Sequence, residues 1–326
     1  MKAMILAAGY GERLWPLTAD RTKPALPVLG KPLVGYVAEY LAGFGIKEVM
    51  VNLHHHPDSV RGALGDGGQF GVTLEYVHEP VILGTSGALD NARTFLEGDT
   101  FVVVNGKLIT DLDLNAALAE HRARKALATL VLRRNEKFER FSFVELDNGL
   151  VKRFAGMPSK DTWQAVDSPL MFTGIHIIEP RIFDYIPRGV FSDSVIDVYP
   201  QAIARGEIIL GHVAEGMWYE LSTLQRYLDI SLALLRQTGR DVYAGRNSKI
   251  DREADVRESI LWDDVTIEAG AKVSRSVIAD GVFVPSGVSV EDAVIVRSQT
   301  IAGKKVPAKA LPGKVKGENF VVCLSQ

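Results

Sequence analysis

The sequence predicts an α/β protein, with a Rossmann-like, mostly parallel sheet over residues 1–240 and a left-handed parallel β-helix over 241–326. Three observations carry this expectation. Apolar runs alternate with amphipathic segments through the first 240 or so residues, a glycine-containing loop follows the first run, and a six-residue aliphatic repeat begins after Gly239. Strands separated by helices of this length favour a parallel sheet covered on both faces.

In chain order, residues 4–7 form a short apolar run and 32–44 carry helical apolar spacing, with Pro32 near the start. Residues 48–53 read as a strand, 58–64 as a helix after Pro57, 73–77 as a strand, 86–96 as a helix and 101–104 as a β-branched strand. Strand-like segments with turn residues such as Asp147-Asn148-Gly149 fill 128–178 and predict an antiparallel extension or lid. Helical patterns return at 195–205 and 223–237. Ligands of such sheets bind at the carboxyl ends of strands, so the loops after Ala7, Val77 and Val104 are the places to search.

After Gly239, Leu261, Ile267 and Val273 stand six apart, and after one five-residue step Ile278, Val284, Val290 and Val296 continue. Small residues such as Ala269-Gly270, Asp280-Gly281 and Ser286-Gly287 fill the gaps. A hexapeptide period stacks one aliphatic residue per short strand into a column. Ordinary hairpins also produce hits at six, but not the recurring small corner residues.

Composition narrows the function. At 47% hydrophobic and 24% charged residues the 326-residue chain is ordinary for two globular domains. A net charge of −3 gives no basic field for nucleic acid. One cysteine, Cys323, fits a reducing compartment, and the first apolar run is too short for a signal sequence or membrane span. The expectation is a cytoplasmic protein with no membrane partner.

The loop after the first run reads Gly9-Tyr10-Gly11-Glu12-Arg13-Leu14, with Leu14 where a dinucleotide fingerprint has its third glycine. Pro16-Leu17-Thr18, Lys23-Pro24 and Pro27-Val28 follow. Glycines let backbone N–H groups approach a triphosphate, Arg13 can fork onto phosphate oxygens, and Lys23 adds a movable charge for leaving pyrophosphate. These segments, with Leu6-Ala7-Ala8 ahead of them, resemble the sugar-1-phosphate nucleotidyltransferases, many of which append a hexapeptide β-helix. The resemblance spans the whole chain. It implies the nucleotide-diphospho-sugar transferase type of fold and transfer of a nucleotidyl group from an NTP to a sugar 1-phosphate, releasing pyrophosphate. Such chemistry asks for positioning and charge neutralisation.

Glu79-Pro80 with Leu83-Gly84-Thr85-Ser86-Gly87 resembles the base-binding stretch of mannose-1-phosphate guanylyltransferases, with Val81 and Ile82 inserted. The implied nucleotide site comprises Leu6, Ala7, Ala8, Gly9, Gly11, Glu79, Gly84, Thr85 and Asn105. A carboxylate at 79 suits guanine better than uracil or thymine, so GTP and mannose 1-phosphate are the first expected pair. Gly84-Thr85-Ser86 also suits a simple helix cap.

Departures fall on the catalytic and sugar side. The resemblance implies an Mg²⁺-binding aspartate where Lys107 stands, a second one at Glu220, sugar contacts at Gly156 and Met157, and an asparagine just before Gly174, where Phe172 and Thr173 stand. Two readings follow. Lys107 either replaces one cation in the catalytic set with Arg13 and Lys23, a metal resting on Glu220 helped by Asp111 or Asp113, or the site has decayed into a nucleotide-binding regulatory or scaffold subunit. The first is favoured, because clefts tune roles by exchanging charges.

His54-His55-His56 reads as a solvated loop, since consecutive loop residues seldom aim at one ion. Lys304, Lys305, Lys309, Lys314 and Lys316 read as a solvated basic tail, a polyphosphate or partner contact being the weaker alternative. Acyl transfer on the β-helix is excluded because all seven histidines lie at or before His212. The β-helix is expected to make a homo-oligomer.

Overall fold

A computed structural model describes residues 1–136, 139, 141–156 and 169–325. By contacts the chain forms two compact units. One comprises Met1–Gly9, Val34–His55 and Leu64–Trp218, the other Tyr10–Leu33, His56–Ala63 and Tyr219–Gln326. Among the described residues no helix is long and apolar enough to cross a membrane.

The first unit is built on a nine-stranded sheet. Its strands are β1 (Lys2–Leu6), β2 (Glu48–Leu53), β3 (Thr73–His78), β4 (Phe101–Asn105), β5 (Ala128–Arg134), β6 (Phe143–Asp147), β7 (Leu150–Gly156), β8 (Leu170–Ile178) and β9 (Ile209–Val213). Their order is β3-β2-β1-β4-β8-β5-β9-β7-β6. β3, β2, β1 and β4 are parallel, joined through helical returns. β8 enters antiparallel between β4 and β5, so the sheet is mixed rather than mostly parallel. β6 and β7 add a second antiparallel pair, joined by the tight Asn148-Gly149 turn with φ of 49° and 79°, which permits only antiparallel pairing of those two strands. Of the expected antiparallel extension or lid, the described residues form the extension of the sheet.

Two helices differ from the periodicity. Residues 86–96 form two pieces, Gly84–Asn91 and Arg93–Leu96, because Ala92 leaves the helical region and Arg93 turns back to Asp90. Residues 195–205 open with a π-turn, Ser194–Val198, before the helix Tyr199–Ala204. Pro200 has no N–H for an α ladder, and Asp193 caps the turn by accepting from the amides of Val195 and Ile196.

On β8, His176 is 3% exposed, and its Nδ1 lies 2.6 Å from the Tyr199 hydroxyl. Burial pushes its pKa down to about 3. The folded chain therefore keeps His176 neutral while the unfolded chain protonates it below about pH 6.5. Stability should fall as pH drops through that value, by about 2 kcal/mol between pH 7 and 5. His121 is also lowered, by burial that outweighs the opposing hydrogen bond and charge of Glu179, and acts with the same sign. Urea midpoints at the two pH values should converge in His176→Gln; an undiminished gap in that variant would refute the assignment.

The second unit carries three small parallel sheets. One holds Val242–Ala244, Ser259–Leu261, Val277–Ile278 and Ala293–Arg297, extended antiparallel by Asn319–Cys323 and Lys314–Lys316. The second holds Lys249–Ile250, Thr266–Ile267 and Phe283–Val284, and the third Asp255–Arg257, Lys272–Ser274 and Ser289–Glu291. Residues pair with partners 17 positions on, as in Leu261 with Ile278 and Val273 with Val290. This is a β-helix-like hexapeptide-repeat region. Its corners use the left-handed backbone at the same spacing: Glu258, Arg275 and Asp292 all have φ of 42–43°. Such corners strain non-glycine residues, and here Arg275 Nε bonds Asp292 Oδ1 at 2.8 Å across the stack. The expected column continues through Ile295 rather than Val296, because Ile278 pairs with Ile295. The five-residue step therefore recurs at each turn.

Candidate functional site

At the carboxyl edge of the parallel strands, Leu6 pairs with Asn52 on one side and Asn105 on the other, and Asn52 with Val77. The predicted loops after Ala7, Val77 and Val104 therefore converge. Asn52, 3% exposed, accepts from the Ala7 N–H at 2.7 Å and donates to Glu79 Oε1 at 2.7 Å. Glu79, 1% exposed, accepts from the Leu83 N–H through Oε2 at 3.1 Å. Both carboxylate oxygens thus hold the first strand's exit and the 80–83 loop. His54 Nδ1 lies 2.7 Å from the Glu79 carbonyl, which makes this histidine part of the same edge.

Gly84 has φ of 76°, and a Cβ there would lie 2.5 Å from the Ser192 carbonyl, which accepts from the amides of Ser86 and Gly87. Thr85 Oγ1 donates to Asp193 and accepts from the Ser194 N–H. This stretch therefore caps its helix with the 192–194 segment. Gly174, with φ of 83°, makes room for the Asn105 amide, which would stand 2.2 Å from a Cβ. Neither neighbour replaces the missing asparagine: Thr173 donates to the Val131 carbonyl at 2.6 Å, and Phe172 meets His176 edge-on.

Lys107 occupies the turn between β4 and the short strand Leu108–Thr110. Asp111 Oδ1 accepts from the Met217 N–H at 2.6 Å, and Asp113 is the N-cap of Leu114–Arg124. Burial, then the charges of Asp113 and Asp111, raise the Tyr40 pKa, while its hydroxyl donates to the Leu112 carbonyl at 2.9 Å. Glu220, in the other unit, is 6% exposed, and its carbonyl accepts from Arg226. Among the described residues no three or more His, Cys, Asp or Glu side chains group to hold a metal ion. Mg²⁺ takes one or two protein carboxylates beside water and substrate phosphates, so Glu220, or Asp111 or Asp113 in the first unit, are the side chains that could hold one. Gly156 ends β7, and Met157 lies outside the described residues.

In the second unit the glycine loop is anchored by its apolar residues: Leu14, Leu17, Leu26 and Val28 are at most 1% exposed. Gly11 takes φ of 68°, and a Cβ there would sit 3.1 Å from Lys23 Cβ, so only glycine lets the two ends of the loop close together. Thr18 Oγ1 donates to the Gly11 carbonyl at 3.3 Å. The result is a cleft of about 260 Å³ lined by Tyr10, Gly11, Glu12, Arg13, Lys23, Ser222 and Lys309. A Cβ on Gly9 would meet only open space.

The nucleotidyl transferase family profile matches residues 2–237. The chain belongs to this family. A second profile, the GlmU-like C-terminal hexapeptide, matches residues 242–306 of this nucleotidyltransferase. It is 31% identical to the UTP–glucose-1-phosphate uridylyltransferase of Synechocystis over 82% of its own length and 72% of that relative's. It is also 31% identical to the mannose-1-phosphate guanylyltransferase of Mycobacterium tuberculosis, over 72% of its own length and 64% of that relative's. Identity to the N-acetylmuramate alpha-1-phosphate uridylyltransferase of Neisseria meningitidis is 35%, over 69% and 95%. Among solved structures, a Bacillus anthracis protein assigned as a glucose-1-phosphate thymidylyltransferase, solved with sucrose, superposes with a TM-score of 0.63. The two share 27% identity, over 72% of this chain and 95% of that one. The relatives are thus sugar-1-phosphate nucleotidyltransferases that differ in base and sugar.

Three site residues of this nucleotidyltransferase escaped sequence reasoning. Asn52 carried a usable signal, as a polar residue near the end of an otherwise apolar strand. Ser222 carried none, and Lys309 carried only its place among the tail lysines, for which a polyphosphate contact was the weaker reading; folding brings both to the loop.

Proposed function

We propose that this nucleotidyltransferase joins an NTP to a sugar 1-phosphate, releasing pyrophosphate, with GTP and mannose 1-phosphate as the first pair to test. The cleft around Gly11, Arg13 and Lys23 is the observation that carries this reading: a closed loop with two cations fits a chain of phosphates. The sugar phosphate oxygen attacks the α-phosphorus while the α–β bridging bond breaks. Arg13 and Lys23 neutralise the pyrophosphate that leaves, and Lys107 carries the charge that an aspartate-bound cation would otherwise supply. Mg²⁺ enters as part of the NTP substrate.

Leu6, Ala7, Ala8, Gly9 and Asn105 line the nucleotide, and Gly174 opens the sugar side. Glu79, Gly84 and Thr85 act on the base by fixing the 80–85 loop through the bonds described above, Glu79 with both oxygens engaged and so without a direct contact to guanine. The likeness to the guanylyltransferase supports GTP. Uridylyl- and thymidylyltransferase relatives make UTP and dTTP the necessary comparators.

The hexapeptide region is read as a left-handed β-helix that assembles a cytoplasmic homo-oligomer. Residues 1–240 and 241–326 are the two domains, in keeping with the ranges of the two profiles.

Lys107 also favours a second reading, a nucleotide-binding regulatory or scaffold subunit. Pyrophosphate release from GTP, UTP, dTTP and ATP against several sugar 1-phosphates, with and without Mg²⁺, separates the two. Turnover with one pair is expected; nucleotide binding without turnover on any pair would support the scaffold. With an active pair in hand, Lys107→Asp should lower kcat by about 10²-fold or more if the ammonium serves the transition state. A sharp rise in Mg²⁺-dependent activity would instead mark Lys107 as a lesion.

A further inference from the structure

The cleft contains one cation that its loop does not supply. Lys309 lies between the helix Ser298–Ile301 and the strand Lys314–Lys316, almost three hundred positions after Arg13, yet it lines the same cleft as Arg13 and Lys23. Its Nζ stands 3.9 Å from Glu12 Oε2. Lys304 Nζ, five residues earlier, donates to the Ala19 carbonyl at 2.7 Å and ties this segment to the loop. Trp15 meets Phe320 edge-on at 5.2 Å, and Arg21 bonds Asp280 at 2.7 Å. The segment is therefore held at the loop by contacts on both sides of Lys309.

We propose that Lys309 is a phosphate-binding residue, a third cation contributed to the NTP by the segment that follows the hexapeptide repeats. This rests on the reading that the Gly11 loop holds a phosphate chain. A side chain 73% exposed, paired loosely to one carboxylate, gains little from that pair. A polyphosphate bearing several charges competes with Glu12 for it at small cost. The cleft is smaller than the roughly 300–1,000 Å³ of sites that enclose whole drug-sized ligands, as expected for one that grips only the phosphates. The remaining tail lysines serve other ends: Lys304 is an anchor, and Lys314 sits on an exposed edge strand.

The test is calorimetric binding of inorganic tripolyphosphate to the full chain, which removes base and sugar from the comparison. Lys309→Gln should weaken binding about ten-fold with Tm unchanged, Lys309→Arg should restore most of the affinity, and Lys314→Gln should bind as the unaltered protein does. Equal affinity in Lys309→Gln and the unaltered protein overturns the Lys309 assignment and leaves the function standing. Failure of the unaltered protein to bind tripolyphosphate overturns both.

Discussion

Arg13→Gln should lower the rate of NTP-dependent pyrophosphate release by about 10²- to 10³-fold, the loss typical of removing one preorganised charge-stabilising donor. The structure explains why the effect should be confined to chemistry. Arg13 sits on the short turn Glu12–Leu14 and is exposed, while Leu14 beside it is fully buried and holds the turn in place. The guanidinium can thus be removed without disturbing the anchor. Arg13→Lys should fall between the two, because an ammonium keeps the charge but loses the two-pronged geometry. Steady-state kinetics with the best substrate pair measures this, and a folded Arg13→Gln enzyme turning over at the unaltered rate would remove Arg13 from the mechanism.

Phe101→Ala should destabilise the first unit by about 3–5 kcal/mol, the range for emptying a buried aromatic site. Phe101 is fully buried at the start of β4 and stacks on Phe183 with centroids 5.8 Å apart and planes 19° apart. The Arg93 guanidinium covers the other ring at 4.5 Å. Surroundings this interlocked cannot collapse into the space left by the ring. Phe101→Leu should cost much less, because most of the volume is retained. Urea unfolding followed by fluorescence gives both values. Near-equal midpoints for Phe101→Ala and the unaltered protein would show that the site relaxes. The effect reaches the site as well, since β4 ends at Asn105.

The parallel strands β1, β2 and β4 were legible because each is a largely buried apolar run, and such a run announces itself in one dimension; β3, where only Leu74 is buried, is the exception. An antiparallel extension over 128–178 was legible from its turn residues, but where its strands enter the sheet was not. Whether β8 enters parallel or antiparallel depends on its partners β4 and β5, and strand periodicity is the same in either direction. The six-residue repeat announced the C-terminal architecture, but only pairing showed that the column turns to Ile295 instead of Val296.

The site divides in the same way. Gly11, Arg13 and Lys23, which line the cleft proposed to hold phosphates, could be named from the sequence, because a tight turn with glycine and cations at short separations leaves a local signature. Glu79 could be singled out, but its bonds to Asn52 and the Leu83 amide could not, since hydrogen-bond partners of a buried carboxylate are chosen by the packing around it. Lys309 lies at the far limit. A lysine in a basic tail looks like any solvated lysine until long-range folding sets it beside the loop, because charge acts through distance in space and the sequence records only distance along the chain.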